Sequence, residues 1–403
     1  MWGGWTMKKL CLLLMAGILW AQNHPTDFVI ERIQSRWDGT YPIKFAVLGD
    51  NYNINRIFTA IMSQIHSIED SLDFVLITGD LTAGGDSAGY ADYLAMIDTF
   101  DVPIISVMGN HELNDEGGWD RYIEYFGSPD FYFDIGVARF VCLTDCYPAD
   151  SAVSGSENVY YKFLPEQLDW LEDVLSEWDG YKFVSVHSPP YLEGHYTIYT
   201  VGGLGSAPGY EESLTERFTD ILRDYNVYAC FMGHFHTYDR WTPHNERYGD
   251  VTYIISGGGG ASIAPVWPYS PPYGGAIYHF MVMELYEDGT VVGHIVRPDT
   301  VDDGVVDIEY DSTYEFILEN PEQIVLSKID AITLDVYPNP FNSILNIEHP
   351  RGDMLIYDIS GNIIAYKHFN LRGIYKWYAP ENLKSGCYIL QLGDISCKVI
   401  YLK

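Results

Sequence analysis

Five short apolar runs in this chain each end in a residue able to bind a metal ion. They read Val47-Leu-Gly-Asp50, Ile77-Thr-Gly-Asp80, Val107-Met-Gly-Asn110-His111-Glu112, Val184-Ser-Val-His187 and Phe231-Met-Gly-His234-Phe-His236. An apolar run of this length bounded by a turn residue reads as a buried strand. In open α/β sheets, ligands bind beyond the carboxyl ends of the strands, so five such ends predict one shared crevice. The glycines before the ligands permit a sharp exit and close backbone approach. A Gly-Asp pair after a strand is ordinarily just a turn, and a lone histidine ordinarily just hydrogen-bonded. The ordered set is what constrains the fold.

The runs Ile43–Leu48, Phe74–Thr78, Ile104–Met108, Phe183–Val186 and Val227–Met232 alternate with helical spacing at Ile54, Ile57, Phe58, Ile61, Ile65 and Ile68. Leu164–Leu175 and Glu211–Tyr225 read as further amphipathic helices. Tyr253–Ser256 and Tyr278–Val296, the latter turning at Glu287-Asp288-Gly289, read as added antiparallel strands. The expected class is α/β, a two-sheet β-sandwich flanked by helices over residues 41–297. The pattern then loosens over 298–330, expected as a linker with an acidic stretch Asp299–Asp311. Residues 331–403 carry short β-like runs and turn signals, and are expected to form a small all-β module.

At the start, Met7-Lys-Lys9, an apolar run Leu10–Leu19 and Ala21 read as a signal peptide over residues 1–21, too short to span a bilayer. No later stretch is long and apolar enough to cross a membrane. With Cys11 removed, five of the six cysteines remain. Cys142 with Cys146, and Cys387 with Cys397, are the pairs open to disulfide formation in an oxidising compartment, and the sequence does not choose between them. Cys230 reads as a buried thiol. The 23 basic against 56 acidic residues give a net charge of -33, which disfavours extended nucleic acid as a partner. A small phosphorylated substrate remains compatible if local metal charge overrides that field.

Carboxylate and amide oxygens mixed with imidazoles suit Fe, Zn or Mn. The ordered set resembles the calcineurin-like metallophosphoesterases over roughly residues 41–297. It looks closest to their purple acid phosphatase subgroup, through Gly233-His-Phe-His-Thr-Tyr-Asp-Arg240 and Ser256-Gly-Gly-Gly-Gly260. Gln167-Leu-Asp-Trp-Leu-Glu172 and His187-Ser-Pro-Pro-Tyr191 are similar to family segments too. The resemblance implies two metal ions bridged by Asp80, with Asp50 and His236 on the first and Asn110, His187 and His234 on the second. It implies that His111 protonates the leaving group as general acid or holds the phosphoryl oxygen, oriented by Glu112. Two cations about 3.5–4 Å apart lower the pKa of a shared water and clamp phosphoryl oxygens. Two divalent ions, two carboxylates and one hydroxide leave a charge of +1, which attracts phosphate inside an acidic protein.

One position departs from the resemblance. The general class has histidine two residues after the first Asp, where this chain has Tyr52; the subgroup has tyrosine three residues after the bridging Asp, where this chain has Ala83. The first metal therefore lacks its usual fourth side chain unless Tyr52 fills in as a phenolate; the favoured alternative is a protonated, uncoordinated Tyr52, with that site held by Asp50, Asp80 and His236 alone. His195, in a Gly-flanked loop, is a candidate substrate contact, and Tyr90, Tyr191 and Tyr196 are candidate pocket walls.

Leu334-Asp-Val-Tyr-Pro-Asn-Pro-Phe-Asn342, Leu355-Ile-Tyr-Asp-Ile-Ser-Gly-Asn362, Leu383-Lys-Ser-Gly-Cys-Tyr-Ile389 and Lys398–Lys403 resemble the C-terminal sorting domain of type IX secretion substrates. That resemblance implies a partner in the secretion machinery and a secreted or cell-surface location. The expected function is a secreted phosphoesterase using metal-bridging hydroxide, with phosphodiesterase or nucleotidase activity, or a catalytically weakened surface binding protein, as alternatives.

Overall fold

The computed structural model describes residues 25–149, 159–190, 210–263 and 275–298, together with strands and short connections between 313 and 403. It divides into two compact units, Met1–Glu322 and Gln323–Lys403.

In the first unit the strands run, in chain order, β1 (Ile43–Leu48), β2 (Phe74–Ile77), β3 (Ile104–Ser106), β4 (Phe131–Ile135), β5 (Ala138–Cys142), β6 (Cys146–Pro148), β7 (Val159–Tyr161) and β8 (Tyr181–Ser185). They continue as β9 (Ala229–Met232), β10 (Tyr238–Trp241), β11 (Thr252–Ser256), β12 (Phe280–Leu285), β13 (Val291–Val296) and β14 (Thr313–Leu318). Two six-stranded sheets form, ordered β14-β13-β12-β1-β2-β3 and β10-β11-β9-β8-β5-β4, while β6 and β7 make a separate ribbon. In the first sheet the parallel strands β1-β2-β3 form one half, with β3 at the edge, and β12, β13 and β14 add an antiparallel half; in the second, a parallel centre β5-β8-β9-β11 is flanked by antiparallel β4 and β10.

The continuous apolar reading of β1 has a direct cause: both of its faces are buried. Ile43, Phe45 and Val47 face the opposite sheet, while Ala46 and Leu48 face the helix side. Between the sheets, Phe45 stacks on Phe74 at 4.9 Å and Phe140 stacks on Phe133 at 5.1 Å and on Phe183 at 4.9 Å. The helices are α1 (Thr26–Arg36), α2 (Arg56–Ile68), α3 (Ser87–Ile97), α4 (Gly118–Phe126), α5 (Pro165–Ser176) and α6 (Glu212–Asp224). The apolar spacing expected in α2 buries Ile57, Phe58, Ile61 and Ile65, and the Asn55 side chain caps it by accepting from the amides of Ile57 and Phe58.

The segment expected as a linker contributes an edge strand. β14 pairs antiparallel with β13 and buries Phe316 and Leu318 in the inter-sheet core. Thr313-Tyr-Glu-Phe-Ile-Leu318 is a single short run beside an acidic tract, so the local pattern did not announce a strand.

The second unit is all-β in its described residues, with β15 (Val336–Tyr337), β16 (Ile344–His349), β17 (Gly352–Asp358), β18 (Ile363–Phe369), β19 (Gly373–Tyr378), β20 (Gly386–Leu392) and β21 (Ile395–Tyr401). They form a three-stranded sheet, β15-β16-β19, and a four-stranded one, β18-β17-β20-β21, around Leu345, Ile347, Met354, Ile356 and Leu390.

Cys142 and Cys146 are both free. Cys142 lies between the sheets and Cys146 on the helix side, so the two thiols belong to separate cores. Cys387 is free as well, and the register sets it opposite Ile400 and Cys397 opposite Leu390. Cys230 is fully buried. The expected signal peptide lies outside the described residues, among which no helix is long and apolar enough to cross a membrane.

Candidate metal centre

Asp50, Asp80 and Asn110 follow β1, β2 and β3 of one sheet; His187 follows β8, and His234 and His236 follow β9, of the other. The carboxyl edges of both sheets thus meet at one place. Asp50, Asp80 and His234 have φ of 59°, 56° and 70°, a left-handed turn that bends the chain as it leaves the strand. Two glycines show why the motif carries no side chain just before its ligands. A Cβ on Gly79 would meet His187 Nδ1 at 2.3 Å, and one on Gly233 would meet Asp50 Oδ2 at 2.5 Å.

Three donor atoms, one each from Asp50, Asp80 and His236, lie within 4.8 Å of one another. Beside them, Asn110 Oδ1 lies 3.0 Å from His187 Nε2 and 2.8 Å from His234 Nδ1. Asp80 joins the groups, because its Oδ1 is 3.3 Å from His187 Nε2. The histidines are aimed by backbone carbonyls. His187 Nδ1 is 2.8 Å from Thr78 O and His236 Nδ1 is 2.8 Å from Ser262 O, which leaves each Nε2 for the centre.

Burial raises the Asp50 carboxyl well above its usual range; the His187 charge opposes that rise and Asp80 adds to it. Burial pushes the same way at Asp80, but His187 and His111 together hold its carboxyl below the ordinary value. Burial disfavours a charged His187, yet Asp80 and Asp50 lift it to about 10. His234 drops to about 3, through burial and then the His187 charge. A buried anionic cluster thus draws a proton onto one imidazole, the electrostatic setting of a cation site.

Those residues fit metal ions by a direct sign. Asp80 Oδ2 is buried and has no hydrogen-bond partner among the described residues, at the carboxylate that joins both groups. A buried carboxylate oxygen costs free energy unless something satisfies it. The donor set of carboxylate, amide oxygen and imidazole suits a first-row cation.

Three expectations need correction or placement. Glu112 does not orient His111. Its fully buried carboxylate accepts from the amides of Asp80 (3.0 Å), Gly109 (2.9 Å) and Thr82 (3.1 Å), bracing two of the ligand loops. The His111 ring is held instead by Ala83 O, 2.8 Å from Nδ1. The Tyr52 hydroxyl hydrogen-bonds His111 Nε2, and burial, then Asp80 and Asp50, raise the phenol above its ordinary value. His195, Tyr191 and Tyr196 lie outside the described residues, and Tyr90 packs in the core against Phe126 and Tyr125.

Sequence reasoning missed Asp145. It is fully buried at the end of Phe140-Val-Cys-Leu-Thr-Asp145 and accepts from the Ser188 amide at 2.7 Å, anchoring the residue after His187. Its signal was available, since this is a sixth apolar run ending in a polar residue.

Residues 43–238 match the family described as calcineurin-like phosphoesterase, and residues 335–400 match the secretion system C-terminal sorting domain. The chain is 26% identical over 170 residues to a probable cyclic nucleotide phosphodiesterase of Synechococcus, an alignment covering 41% of this chain and 58% of that protein. It is 23% identical over 189 residues to a 3′,5′-cyclic adenosine monophosphate phosphodiesterase of Haemophilus influenzae, covering 46% and 62%. The chain thus spans less than two thirds of these relatives. Among solved structures, a purple acid phosphatase from yellow lupin seeds superposes with a TM-score of 0.54 at 16% identity, covering 75% of this chain and 58% of that one. That likeness is one of fold.

Proposed function

Residues 43–238 form a calcineurin-like phosphoesterase domain and residues 335–400 a secretion system C-terminal sorting domain, and from that premise we propose that this is an exported two-metal hydrolase of phosphate esters. The observation that carries the reading is the Asp80 carboxylate, shared by two groups of ligand-type side chains and buried with one oxygen unsatisfied.

Asp50, Asp80 and His236 would hold one cation, and Asp80, Asn110, His187 and His234 the other. Such cations polarise phosphoryl oxygens and make water nucleophilic near neutral pH. The chain's own work is to place groups around the ester. His111 Nδ1 is held between Ala83 O (2.8 Å) and Asn114 Nδ2 (2.9 Å), which turns Nε2 the other way, and Nε2 is the proposed proton donor to the leaving oxygen. Its main-chain amide donates to Asp80 Oδ1 at 2.9 Å, so acid and ligand are fixed to each other. Glu112 and Asp145 hold the loops so that little reorganisation is needed during reaction.

Diesters are the second reading, favoured by the cyclic nucleotide phosphodiesterase names of the curated relatives. Export to the surface through the secretion machinery is supported by the match at 335–400. The deciding experiment measures the metal content of the purified chain beside its turnover of a panel of phosphomonoesters and phosphodiesters. Two metal equivalents with turnover of either class support the proposal; a metal-loaded protein inert to both classes overturns it.

A further inference from the structure

The loop after β1 and the loop after β2 are tied through His111 in a closed circuit. Asn53 Oδ1 accepts from the Ala83 amide at 3.0 Å. Ala83 O lies 2.8 Å from His111 Nδ1. The other ring nitrogen, Nε2, is hydrogen-bonded to the Tyr52 hydroxyl, and Tyr52 is one residue from Asn53. The Tyr52 and Asn53 amides donate to Asp80 O (3.1 Å) and Leu81 O (3.3 Å), pinning the first loop to the second.

The backbone is bent to deliver the tyrosine. Tyr52 and Asn53 have φ of 48° and 68°, a left-handed pair that non-glycine residues adopt only when their surroundings demand it. The phenol ring then lies 4.0 Å from the His111 ring, tilted 46°, and meets the His236 ring edge-on at 5.0 Å. A tyrosine held only by apolar packing would not need its hydroxyl on the one nitrogen of His111 that faces the chemistry.

We infer that Tyr52 is a positioning residue for the hydrolytic reaction, holding His111 Nε2 where it delivers a proton to the leaving oxygen. This rests on the reading of the site as a phosphoesterase. The assignment follows from geometry: Nδ1 lies 2.8 Å from Ala83 O and 2.9 Å from Asn114 Nδ2, and the Tyr52 hydroxyl meets Nε2, so the ring is held at both nitrogens and keeps its direction until the leaving oxygen takes the phenol's place.

The test compares Tyr52→Phe with wild type on two monoesters, an alkyl phosphate and p-nitrophenyl phosphate. An alkoxide needs a proton to depart, whereas p-nitrophenolate hardly does. A positioned acid contributes about 10²–10⁴-fold, so loss of its positioning is expected to cost kcat about 10–100-fold on the alkyl ester, with KM little changed. The cost on p-nitrophenyl phosphate is expected to be at least several-fold smaller. Metal content should equal that of wild type. Equal losses on both esters, or a drop in bound metal, would overturn the inference, the latter by making Tyr52 a ligand. A readout independent of turnover is the nitrogen NMR shift of His111 Nε2, expected to move in Tyr52→Phe; an unmoved signal refutes the contact. Should wild type hydrolyse neither ester, the functional reading fails while this measurement still decides whether the hydrogen bond exists.

Discussion

Glu112 accepts the main-chain amide of Asp80 through Oε2 at 3.0 Å, so the residue that joins the two ligand groups is held from behind by a second buried carboxylate. Glu112 also takes the amides of Thr82 and Gly109, and burial lifts its carboxyl to about 7, with Asp80 adding to the rise. Glu112→Gln replaces one acceptor oxygen by an NH2 that faces amide donors. Unpaired buried donors cost about 1–3 kcal/mol each, so the variant should lose about 2–4 kcal/mol of stability and bind metal less tightly. Chemical denaturation and metal titration check this. Full stability and metal affinity, with only catalysis impaired, would return Glu112 to the role of orienting His111.

The unsatisfied Asp80 Oδ2 makes a sharper claim about metal. Asp80→Asn keeps the shape but removes the negative charge, and an amide offers a single strong acceptor. The variant is expected to fold, to lose at least one of two metal equivalents, and to lose turnover by about 10³-fold or more, as several kcal/mol of transition-state stabilisation disappears. Elemental analysis beside circular dichroism reads both outcomes. Retention of two metals with normal turnover would remove Asp80 from the bridging position.

Asp130 gives a pH test remote from the ligands. Its Oδ1 accepts from the Thr144 amide (2.8 Å) and Gln167 Nε2 (2.9 Å), and burial still pushes its carboxyl up to about 6. A carboxyl raised on folding favours the folded state only while protonated. Its contribution is neutral below the unfolded value of about 3.9, turns unfavourable as pH rises from there to about 6, and stays so above. Asp130→Asn retains the acceptor oxygen without the charge. Relative to wild type, the variant should gain on the order of 2 kcal/mol between pH 4 and pH 7, measured by urea denaturation across that range. A difference that does not change with pH would show that Asp130 is not held in this way.

Much of the fold was legible because its strands are buried on both faces. β1, β2, β3, β8 and β9 read as largely apolar runs, and the residues that follow them come together in one site. What was not legible depended on tertiary partners. Glu112 lies next to His111 in sequence, which suggested a local pair, but its acceptor oxygens reach amides brought in from thirty or more residues away at Asp80 and Thr82. The direction of Tyr52 is set by two left-handed residues, a backbone state that composition does not reveal for Tyr and Asn in succession. Asp145 was legible and overlooked, because its run ends in Thr-Asp rather than Gly-Asp.

The least legible element, β14, supplies the last prediction. Residues 298–330 look like a linker, yet Phe316 lies opposite Gly293 of β13, where an added Cβ would fall 2.1 Å from its ring. The Arg240 guanidinium covers the same ring at 3.9 Å. Glycine in a strand leaves a gap that an aromatic neighbour fills, which fixes the register of the pair. A chain ending at Glu322 should therefore keep the thermal transition of the first unit, while one ending at Arg297 exposes the strand edge of β13 and loses the burial of Phe316 and Leu318. Each such side chain is worth about 1.5–3 kcal/mol, so the shorter chain should be less stable by about 3–6 kcal/mol. Differential scanning calorimetry of the two truncations beside the full chain measures it. Equal transition temperatures in both would show that β14 contributes nothing to the unit and that residue 297 is its true boundary.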